Sequence, residues 1–128
     1  MEKSLHVISS PKAPAAIGPY CQAMVFGDLL FTSGQIPICP ESGEVVQGGI
    51  AEQARQVMQN LGAVLEQAGS GFDRVIKTTC FLADMADFGV FNGVYETYFV
   101  SRPARSCVAV KALPKGVLCE IELIATVD

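Results

Sequence analysis

The clearest pattern along the chain is an apolar residue at every third or fourth position between residues 50 and 68. This spacing predicts an α-helix with one apolar face, because an α-helix has about 3.6 residues per turn. Gly69 directly after the segment predicts where the helix ends. The apolar face consists of Ile50, Ala54, Val57, Leu61, Val64 or Leu65, and Ala68.

A second helix is predicted to begin at Asp87, whose side chain we expect to cap the first turn. Pro103 marks the end of this helical segment, because the residue before a proline is disfavoured in a helix. The apolar face of the second helix consists of Phe88, Phe91, Tyr95, and Tyr98 or Phe99.

Short apolar segments bounded by turn-forming residues predict β-strands over the rest of the chain. Residues 21–25 and 29–33 flank Phe26-Gly27-Asp28, which favours a β-hairpin. The order β-β-β-α-β-α-β-β is that of an α+β domain, in which two helices cover one face of a mixed sheet. The remaining strands are predicted over residues 5–9, 75–82, 105–111 and 118–127.

The last two strands are predicted to pair as a hairpin across residues 112–116. A register that keeps the valines of the first strand on the core face sets Arg105 opposite Glu122 and Cys107 opposite Glu120. Arg105 and Glu120 would then be diagonal neighbours on one face. Spacing alone leaves two interpretations open: an exposed cross-strand ion pair, or an arginine that binds an anion beside a carboxylate that handles a proton or water.

Size and composition indicate one domain spanning residues 1–128 that associates with other copies. A mass of 13.6 kDa is typical of a single domain, and half of the residues are hydrophobic, which excludes disorder. Only 17% of the residues are charged, against about 25% in a typical soluble domain. The chain therefore has few charges with which to cover its surface, and we expect a large buried interface in an oligomer.

The charge balance disfavours a nucleic-acid partner. Nine Lys and Arg residues stand against thirteen Asp and Glu residues, so the formal net charge is −4. The cations are scattered along the chain, whereas binding to a phosphate backbone depends on clustered cations. A local pocket for a small anion remains compatible with this pattern.

Cysteine usage indicates a reducing compartment. Five cysteines occur without a Cys-x-x-Cys motif, and the start of the chain resembles no secretory signal. We expect free thiols in the cytoplasm, with the mitochondrion as the alternative. No apolar segment approaches the ~20 residues that a membrane-spanning helix requires. The cysteines are Cys21, Cys39, Cys80, Cys107 and Cys119.

The single histidine, His6, restricts the available chemistry. Zinc sites of the Cys/His type need spaced ligand pairs that the sequence lacks, so no metal site is expected. His6 lies in a predicted edge strand, where a surface position is expected. Chemistry must then come from carboxylates, Arg, Lys, Tyr, Ser, Cys or the backbone.

Several short motifs, which occur in order along nearly the whole chain, resemble those of the RidA/YjgF family, also called the endoribonuclease L-PSP family. Each motif is weak by itself, but together they are specific. The motifs are Ala-Ile-Gly-Pro-Tyr at 16–20, Thr-Ser-Gly-Gln-Ile at 32–36, Asn92, Pro-Ala-Arg-Ser-Cys-Val at 103–108, Leu-Pro-Lys-Gly at 113–116 and Glu-Ile-Glu at 120–122.

The resemblance implies a chorismate mutase-like α+β fold and a homotrimer with ligand sites at the subunit interfaces. It also implies a deaminase that hydrolyses 2-iminobutanoate, 2-iminopropanoate and their enamine forms, such as 2-aminoacrylate, to 2-keto acids and ammonia. The archetypal member of the family needs no cofactor. Carried onto this sequence, Arg105 would hold the substrate carboxylate through a bidentate pair, and Glu120 would position or activate water for attack on the imine carbon.

The same resemblance implies substrate-binding roles for five further residues, each with a structural alternative. Tyr20 and Asn92 would shape the pocket, but Tyr20 could pack a turn and Asn92 could make only local hydrogen bonds. Ser33, Gly34 and Cys107 would orient the imine and the carboxylate through backbone groups. Ser33 and Gly34 could otherwise matter for backbone geometry alone. Cys107 could otherwise be a small buried hydrophobic residue, since the sequence places no activating group beside it.

Two other functions remain open at this stage. Cleavage of single-stranded RNA with inhibition of translation is ascribed to some members of the family, but the acidic charge balance and the single histidine disfavour it. A non-catalytic protein that binds small carboxylates, or acts as a chaperone, could use the same Arg105 pocket and would differ mainly at Glu120.

Overall fold

The structure is a computed structural model that describes residues 4–128. The first three residues, on which the expectation of no signal segment partly depends, lie outside the described residues. The elements are β1 (Leu5–Ile8), β2 (Ala23–Phe26), β3 (Leu29–Thr32), α1 (Ile50–Gln67), β4 (Val75–Leu82), α2 (Phe88–Tyr98), β5 (Ala104–Ala109) and β6 (Cys119–Thr126). This order confirms the predicted α+β succession of elements.

The six strands form one mixed sheet in the order β1-β2-β3-β6-β4-β5. All neighbouring strands are antiparallel except β4 and β5, which run parallel. The strands β1 and β5 are therefore the edges of the sheet, and His6 lies on an edge strand, as predicted. No helix among residues 4–128 has the length and apolar character to cross a membrane.

The helix α1 buries the predicted apolar face in the core of the protein. Ala54, Val57 and Leu61 are fully buried. Gly69 ends the helix at a φ of +76°, a left-handed conformation that favours glycine, and its N–H donates to the Glu66 carbonyl over 3.0 Å. The helical period and the glycine stop were thus sufficient to place α1 within one residue at its carboxyl end.

The helix α2 has the predicted apolar face but a different start and end. Asp87 occupies the N-cap position, yet its side chain makes no capping hydrogen bond. The expectation that Asp87 caps the helix is wrong, because a short 3-10 turn at Met85–Asp87 leads directly into the helix. Asp84 caps that turn instead, accepting from the Ala86 N–H over 2.9 Å. The helix ends at Tyr98, before the sequence reaches Pro103.

The predicted hairpin of the last two strands is wrong, because β4 lies between β5 and β6. Thr78 of β4 aligns with Arg105 of β5 on one side and with Leu123 of β6 on the other. Arg105 therefore shares the helix-covered face with Leu123. Glu120 aligns with Phe81 and points to the opposite face.

The sheet face opposite the helices is uncovered in the isolated chain and carries exposed apolar side chains. Val7, Phe31 and Val108 are 62%, 41% and 45% exposed, respectively. Met24 aligns with both Val7 and Phe31, so these side chains form a continuous row across β1, β2 and β3. The row matches the shortage of charged residues, and such a face is typical of an interface between subunits.

Buried amide side chains fix the loops that surround one end of the sheet. The Asn60 Nδ2 donates to the carbonyls of Ile36 and Ile38 over 3.2 and 3.0 Å. The Gln53 Oε1 accepts from the Leu118 N–H over 2.8 Å. Both amides belong to α1, so the helix holds two loops that line the candidate site described next.

Candidate active site

The residues expected to carry chemistry, apart from Cys107, lie in two separate cavities. The first cavity, of about 410 Å³, contains Glu120, Tyr20, Ser33 and Gly34 together with Ile17, Ile36, Pro114 and Lys115. The second, of about 490 Å³, contains Arg105 and Asn92 together with Tyr95, Glu96, Phe99, Val100, Arg102 and Pro103. We call them the Glu120 cavity and the Arg105 cavity.

The Arg105 guanidinium is held by groups of α2. Its Nη1 donates to the Asn92 Oδ1 over 2.7 Å. The guanidinium carbon lies 4.7 Å from the centre of the Tyr95 ring and 5.5 Å from that of Phe88, which places the cation in contact with two aromatic faces. The predicted pocket residue Asn92 thus orients Arg105 and leaves other N–H groups of the guanidinium to bind an anion.

Tyr95 supports the arginine in a way that the sequence analysis missed. The hydroxyl groups of Tyr95 and Thr78 form a buried hydrogen bond of 2.7 Å, which fixes the ring beneath the guanidinium. Tyr95 was predicted only as part of the apolar face of α2. The available signal was its position three residues after Asn92, since residues three apart lie on the same face of a helix.

Cys107 lies on the same face of β5 as Arg105 and is partly buried. Burial raises the pKa of its thiol, and the nearby Arg105 charge opposes that shift only in part. The thiol is therefore protonated at neutral pH and is a poor nucleophile. This environment agrees with a packing role for the side chain and leaves the proposed backbone role untested.

Glu120 is positioned by an isolated bridge between β6 and the loop after β3. The Gln35 N–H donates to the Ile121 carbonyl over 2.8 Å, and the Ile121 N–H donates back to Gln35 over 3.2 Å. The bridge brings Gly34 against the Glu120 side chain, so closely that a Cβ on Gly34 would lie 2.8 Å from the Glu120 carboxyl carbon. Any other residue at position 34 would therefore displace the Glu120 carboxylate.

The environment of Glu120 favours its protonated form. Partial burial raises the pKa of the carboxyl group, and the negative charge of Glu122 raises it further. A carboxyl group with a raised pKa exchanges protons more readily near neutral pH, which suits a general acid or base.

Tyr20 and Ser33 complete the polar part of the Glu120 cavity. Tyr20 is 53% exposed, with its N–H donating to the Gly18 carbonyl over 2.8 Å. The Ser33 hydroxyl donates to the Cys21 carbonyl over 2.7 Å and keeps its lone pairs available as acceptors. The structure thus groups Tyr20, Ser33, Gly34 and Glu120 in one cavity, and their roles in binding stay predictions.

The structure does not bring Arg105 and Glu120 together within one chain. They lie on opposite faces of the sheet, and the ion pairs among residues 4–128 are Lys12–Glu66, Arg55–Glu52 and Arg74–Asp128. The predicted diagonal pair is therefore wrong, and so is the interpretation of these residues as a cross-strand ion pair. Each cavity holds only half of the expected chemistry.

Other candidate chemistry is limited in the described part of the chain. Residues 4–128 contain no group of three or more His, Cys, Asp or Glu side chains that could hold a metal ion. His6 is exposed and lies within 3.1 Å of the Ser4 hydroxyl. All five cysteines are free thiols, and burial raises the pKa of Cys80 and of Cys119 to about 12.

Gly34→Ala is expected to reduce turnover by at least about tenfold while the fold remains intact. The added methyl group would displace the Glu120 carboxylate, which is the end of a flexible side chain, so the change should affect geometry more than stability. Steady-state kinetics and thermal unfolding of the variant measure the two effects. Gly89→Ala is the matched control, because a Cβ there meets nothing within 4 Å. Equal activity of both variants would contradict the placement of Glu120 against Gly34.

These features define a small α+β protein with a carboxylate cavity and a guanidinium cavity on separate faces of its sheet. The chain belongs to the endoribonuclease L-PSP family, whose family model matches residues 10–127. The family resemblance and the YjgF-type fold predicted from the sequence are thereby confirmed.

Curated relatives and solved structures match nearly the whole chain. The 2-iminobutanoate/2-iminopropanoate deaminase of Mus musculus is 52% identical over 120 residues, which cover 93% of this chain and 89% of that protein. The Homo sapiens protein of the same name is 50% identical, covering 93% of this chain and 88% of its own length. The crystal structure of yeast Mmf1 matches with a TM-score of 0.94 at 43% identity, covering 98% of this chain and 100% of that chain. Escherichia coli TdcF with bound serine matches with a TM-score of 0.91 at 42% identity, covering 96% and 99%.

Proposed function

We propose that this chain is a 2-iminobutanoate/2-iminopropanoate deaminase, which hydrolyses reactive imines and enamines to 2-keto acids and ammonia. Curated relatives with about half of their residues identical carry this name. The structural observation that carries the proposal is the combination of an oriented guanidinium with a half-buried carboxylate of raised pKa. The serine bound in the related TdcF structure supports a small ligand that carries a carboxylate.

Arg105 is the group that binds the substrate carboxylate. Asn92 and the two aromatic rings hold the guanidinium plane in one orientation, so two parallel N–H groups can meet the two carboxylate oxygens. A lysine would supply the charge without this paired geometry. The carboxylate is thereby fixed, and the adjacent imine carbon is held at a defined distance from it.

Glu120 is the group that handles the proton of water. As the general base it accepts a proton while the water oxygen bonds to the imine carbon and the electron pair of the C=N bond moves to nitrogen. The protonated carboxyl then donates that proton to nitrogen, which gives a carbinolamine with OH and NH2 on the same carbon. The carboxylate next takes the hydroxyl proton and passes it to nitrogen, so the C–N bond breaks and ammonia leaves as the C=O bond forms. One imino acid and one water thus give one keto acid and one ammonia. Tyr20, Ser33 and Gly34 shape the cavity in which this water is held.

Because the two cavities lie on opposite sheet faces, a complete site requires two chains. We infer a homotrimer in which Arg105, Asn92 and Cys107 of one subunit meet Glu120 and its cavity on the next. The uncovered apolar face of the sheet and the low charged fraction support such an interface. Light scattering should give about three times the chain mass of 13.6 kDa.

A coupled assay tests the function. A pyridoxal-phosphate-dependent serine/threonine dehydratase generates 2-aminoacrylate or 2-iminobutanoate, and release of the keto acid is followed with and without this protein. Faster release than the spontaneous rate supports the deaminase. An unchanged rate, together with binding of 2-ketobutyrate in calorimetry, would instead favour a non-catalytic carboxylate-binding protein.

Mixing two inactive variants tests the composite site directly. Arg105→Ala keeps Glu120, and Glu120→Gln keeps Arg105, so a mixed trimer has some sites with both native residues. Random mixing at equal amounts should restore activity at about a quarter of the sites, if one residue comes from each neighbour. The variants are unfolded together, refolded and assayed, with each variant refolded alone as the control. Activity of the mixture equal to that of the separate variants would contradict a site shared between subunits.

The family description names an endoribonuclease, but the charges of this chain do not favour RNA cleavage over the deaminase. The described lining of the Glu120 cavity contains one cation, and the protein carries a net charge of −4, so a binding surface for an RNA backbone is not supported.

The free thiols support a reducing compartment, the cytoplasm or the mitochondrion, as the place where the chain acts.

A further inference from the structure

Lys115 lines the Glu120 cavity but has no role in the mechanism above. It lies at the middle of the short 3-10 turn Pro114–Gly116, which connects the loop after β5 to β6. Among the described residues that line this cavity, Lys115 and Glu120 are the charged ones. Within residues 4–128 its ammonium group forms no ion pair, so its charge is available to a ligand.

The backbone at Lys115 is held in a conformation that a lysine rarely adopts. Its φ of 57° lies in the left-handed region, which favours glycine and asparagine. The described part of the chain has one other non-glycine residue of this kind, Arg102 at a φ of 55°, and that residue lines the Arg105 cavity. Unfavourable backbone conformations of this kind tend to occur at functional sites.

The turn that carries Lys115 is fixed on both sides. The Gly116 N–H donates to the Leu113 carbonyl over 3.1 Å. After the turn, Val117 is 1% exposed and the Leu118 N–H donates to the buried Gln53 side chain over 2.8 Å. The direction in which the Lys115 side chain leaves the backbone is therefore set by packing, and a flexible surface loop would not set it.

The positive charge of Lys115 offsets an electrostatic repulsion between Glu120 and the substrate. An ionised Glu120 repels the carboxylate of an approaching imino acid, and the partial burial of the cavity weakens the screening of that repulsion. A cation at the wall of the same cavity offsets the repulsion. The lining residues other than Lys115 and Glu120, within residues 4–128, are uncharged and cannot do so.

We propose that Lys115 is a substrate-capturing residue, whose ammonium group draws the anionic imino acid into the Glu120 cavity before Arg105 binds its carboxylate. The inference rests on the proposed deaminase function and deepens it. A residue that acts in capture changes KM and leaves the chemical step unaffected. Its effect also weakens as salt screens the attraction over a Debye length of about 8 Å at physiological ionic strength.

Lys115→Asn tests the inference, because asparagine removes the charge and still adopts the left-handed conformation. We expect KM for 2-iminobutanoate to rise about five- to twentyfold at low salt, with kcat within about twofold and with the difference shrinking at high salt. Lys115→Gly should give the same result and replaces the asparagine variant if that one does not fold. Lys115→Arg should retain a KM close to that of the native chain.

Lys111→Asn is the matched control, since it removes the same charge from an exposed position four residues earlier that does not line the cavity. A rise in KM equal to that of Lys115→Asn would show an effect of net charge alone and would overturn the inference. A native KM in Lys115→Asn, or an impaired KM in Lys115→Arg, would overturn it as well.

The native protein separates this inference from the proposed function. If the native chain neither accelerates keto-acid release nor binds 2-ketobutyrate in calorimetry, both the deaminase and the role of Lys115 are overturned. If the native chain is active and the Lys115 variants match it at every salt concentration, the deaminase stands and only the capturing role fails.

Discussion

Arg105→Lys is expected to lower kcat/KM by about one to four orders of magnitude while the chain still folds. A charged hydrogen bond contributes about 1.5–3 kcal/mol, a bidentate pair makes two of them, and each ~1.4 kcal/mol corresponds to a factor of ten. Lysine also loses the hydrogen bond to Asn92 in its present geometry and the planar stacking over Tyr95. Affinity for 2-ketobutyrate should fall together with kcat/KM, because both depend on the carboxylate. The coupled assay and calorimetry measure the two quantities.

Arg55→Lys is the control for this experiment. Arg55 is exposed on α1, and its ion-pair partner within the described residues is Glu52, over 3.9 Å. Exchanging its guanidinium for an ammonium should therefore leave activity unchanged. An Arg105→Lys protein that binds and turns over like the native chain would show that Arg105 is not the carboxylate-binding group.

Glu120→Gln is expected to reduce turnover by about a hundredfold or more and to leave 2-ketobutyrate binding largely intact. The substitution removes the proton acceptor and keeps the size of the side chain and the anion-binding half of the site. The contrast with Arg105→Lys is the informative result, since that variant should lose binding and turnover together. Native turnover in Glu120→Gln would show that Glu120 is not the group that handles the proton of water.

The raised pKa of Glu120 predicts two dependences on pH. If the ionised form is the base, kcat/KM of the native protein falls as the pH decreases through a pKa above that of an ordinary glutamate.

A carboxyl whose pKa is higher in the folded than in the unfolded chain destabilises the fold while ionised, and this destabilisation disappears as the pH falls through the folded pKa. Glu120→Gln should therefore show an unchanged or higher Tm at neutral pH. A clear drop in Tm would indicate that the carboxylate is a stabilising group.

The helices and the succession of strands could be predicted from local patterns. The helix α1 follows from its apolar period and from Gly69, and β4 was predicted with its observed bounds, Val75–Leu82. Both segments carry apolar residues at a regular spacing, and a regular spacing records which face of an element is buried. The cap of α2 at Asp87 was predicted wrongly, because a preceding 3-10 turn supplied another way to start the helix.

The partner of the last strand could not be predicted from local patterns. Strands that are adjacent in sequence often pair, but here β4 is inserted between β5 and β6. A separate error, in the face on which Arg105 lies, came from the assumption that the valines of β5 face the core. Val108 lies on the uncovered sheet face, 45% exposed, and Arg105 and Cys107 occupy the helix-covered side. A single sequence does not distinguish apolar residues on a sheet face that packs against another subunit from apolar residues of the core.

The sequence by itself determined the α+β class and the family, and it named the candidate site residues, because these depend on periodicity and on residue types in short motifs. Only the tertiary structure decided that Arg105 and Glu120 occupy opposite faces of the sheet, and that Asn92 and Tyr95 hold the guanidinium. The physical reason is that the alternation of side chains fixes which residues of one strand share a face. Which of the two faces packs on the core, and which strands are neighbours, depends on the rest of the sheet. Pairing is settled by packing across the whole sheet, through contacts between residues distant in sequence.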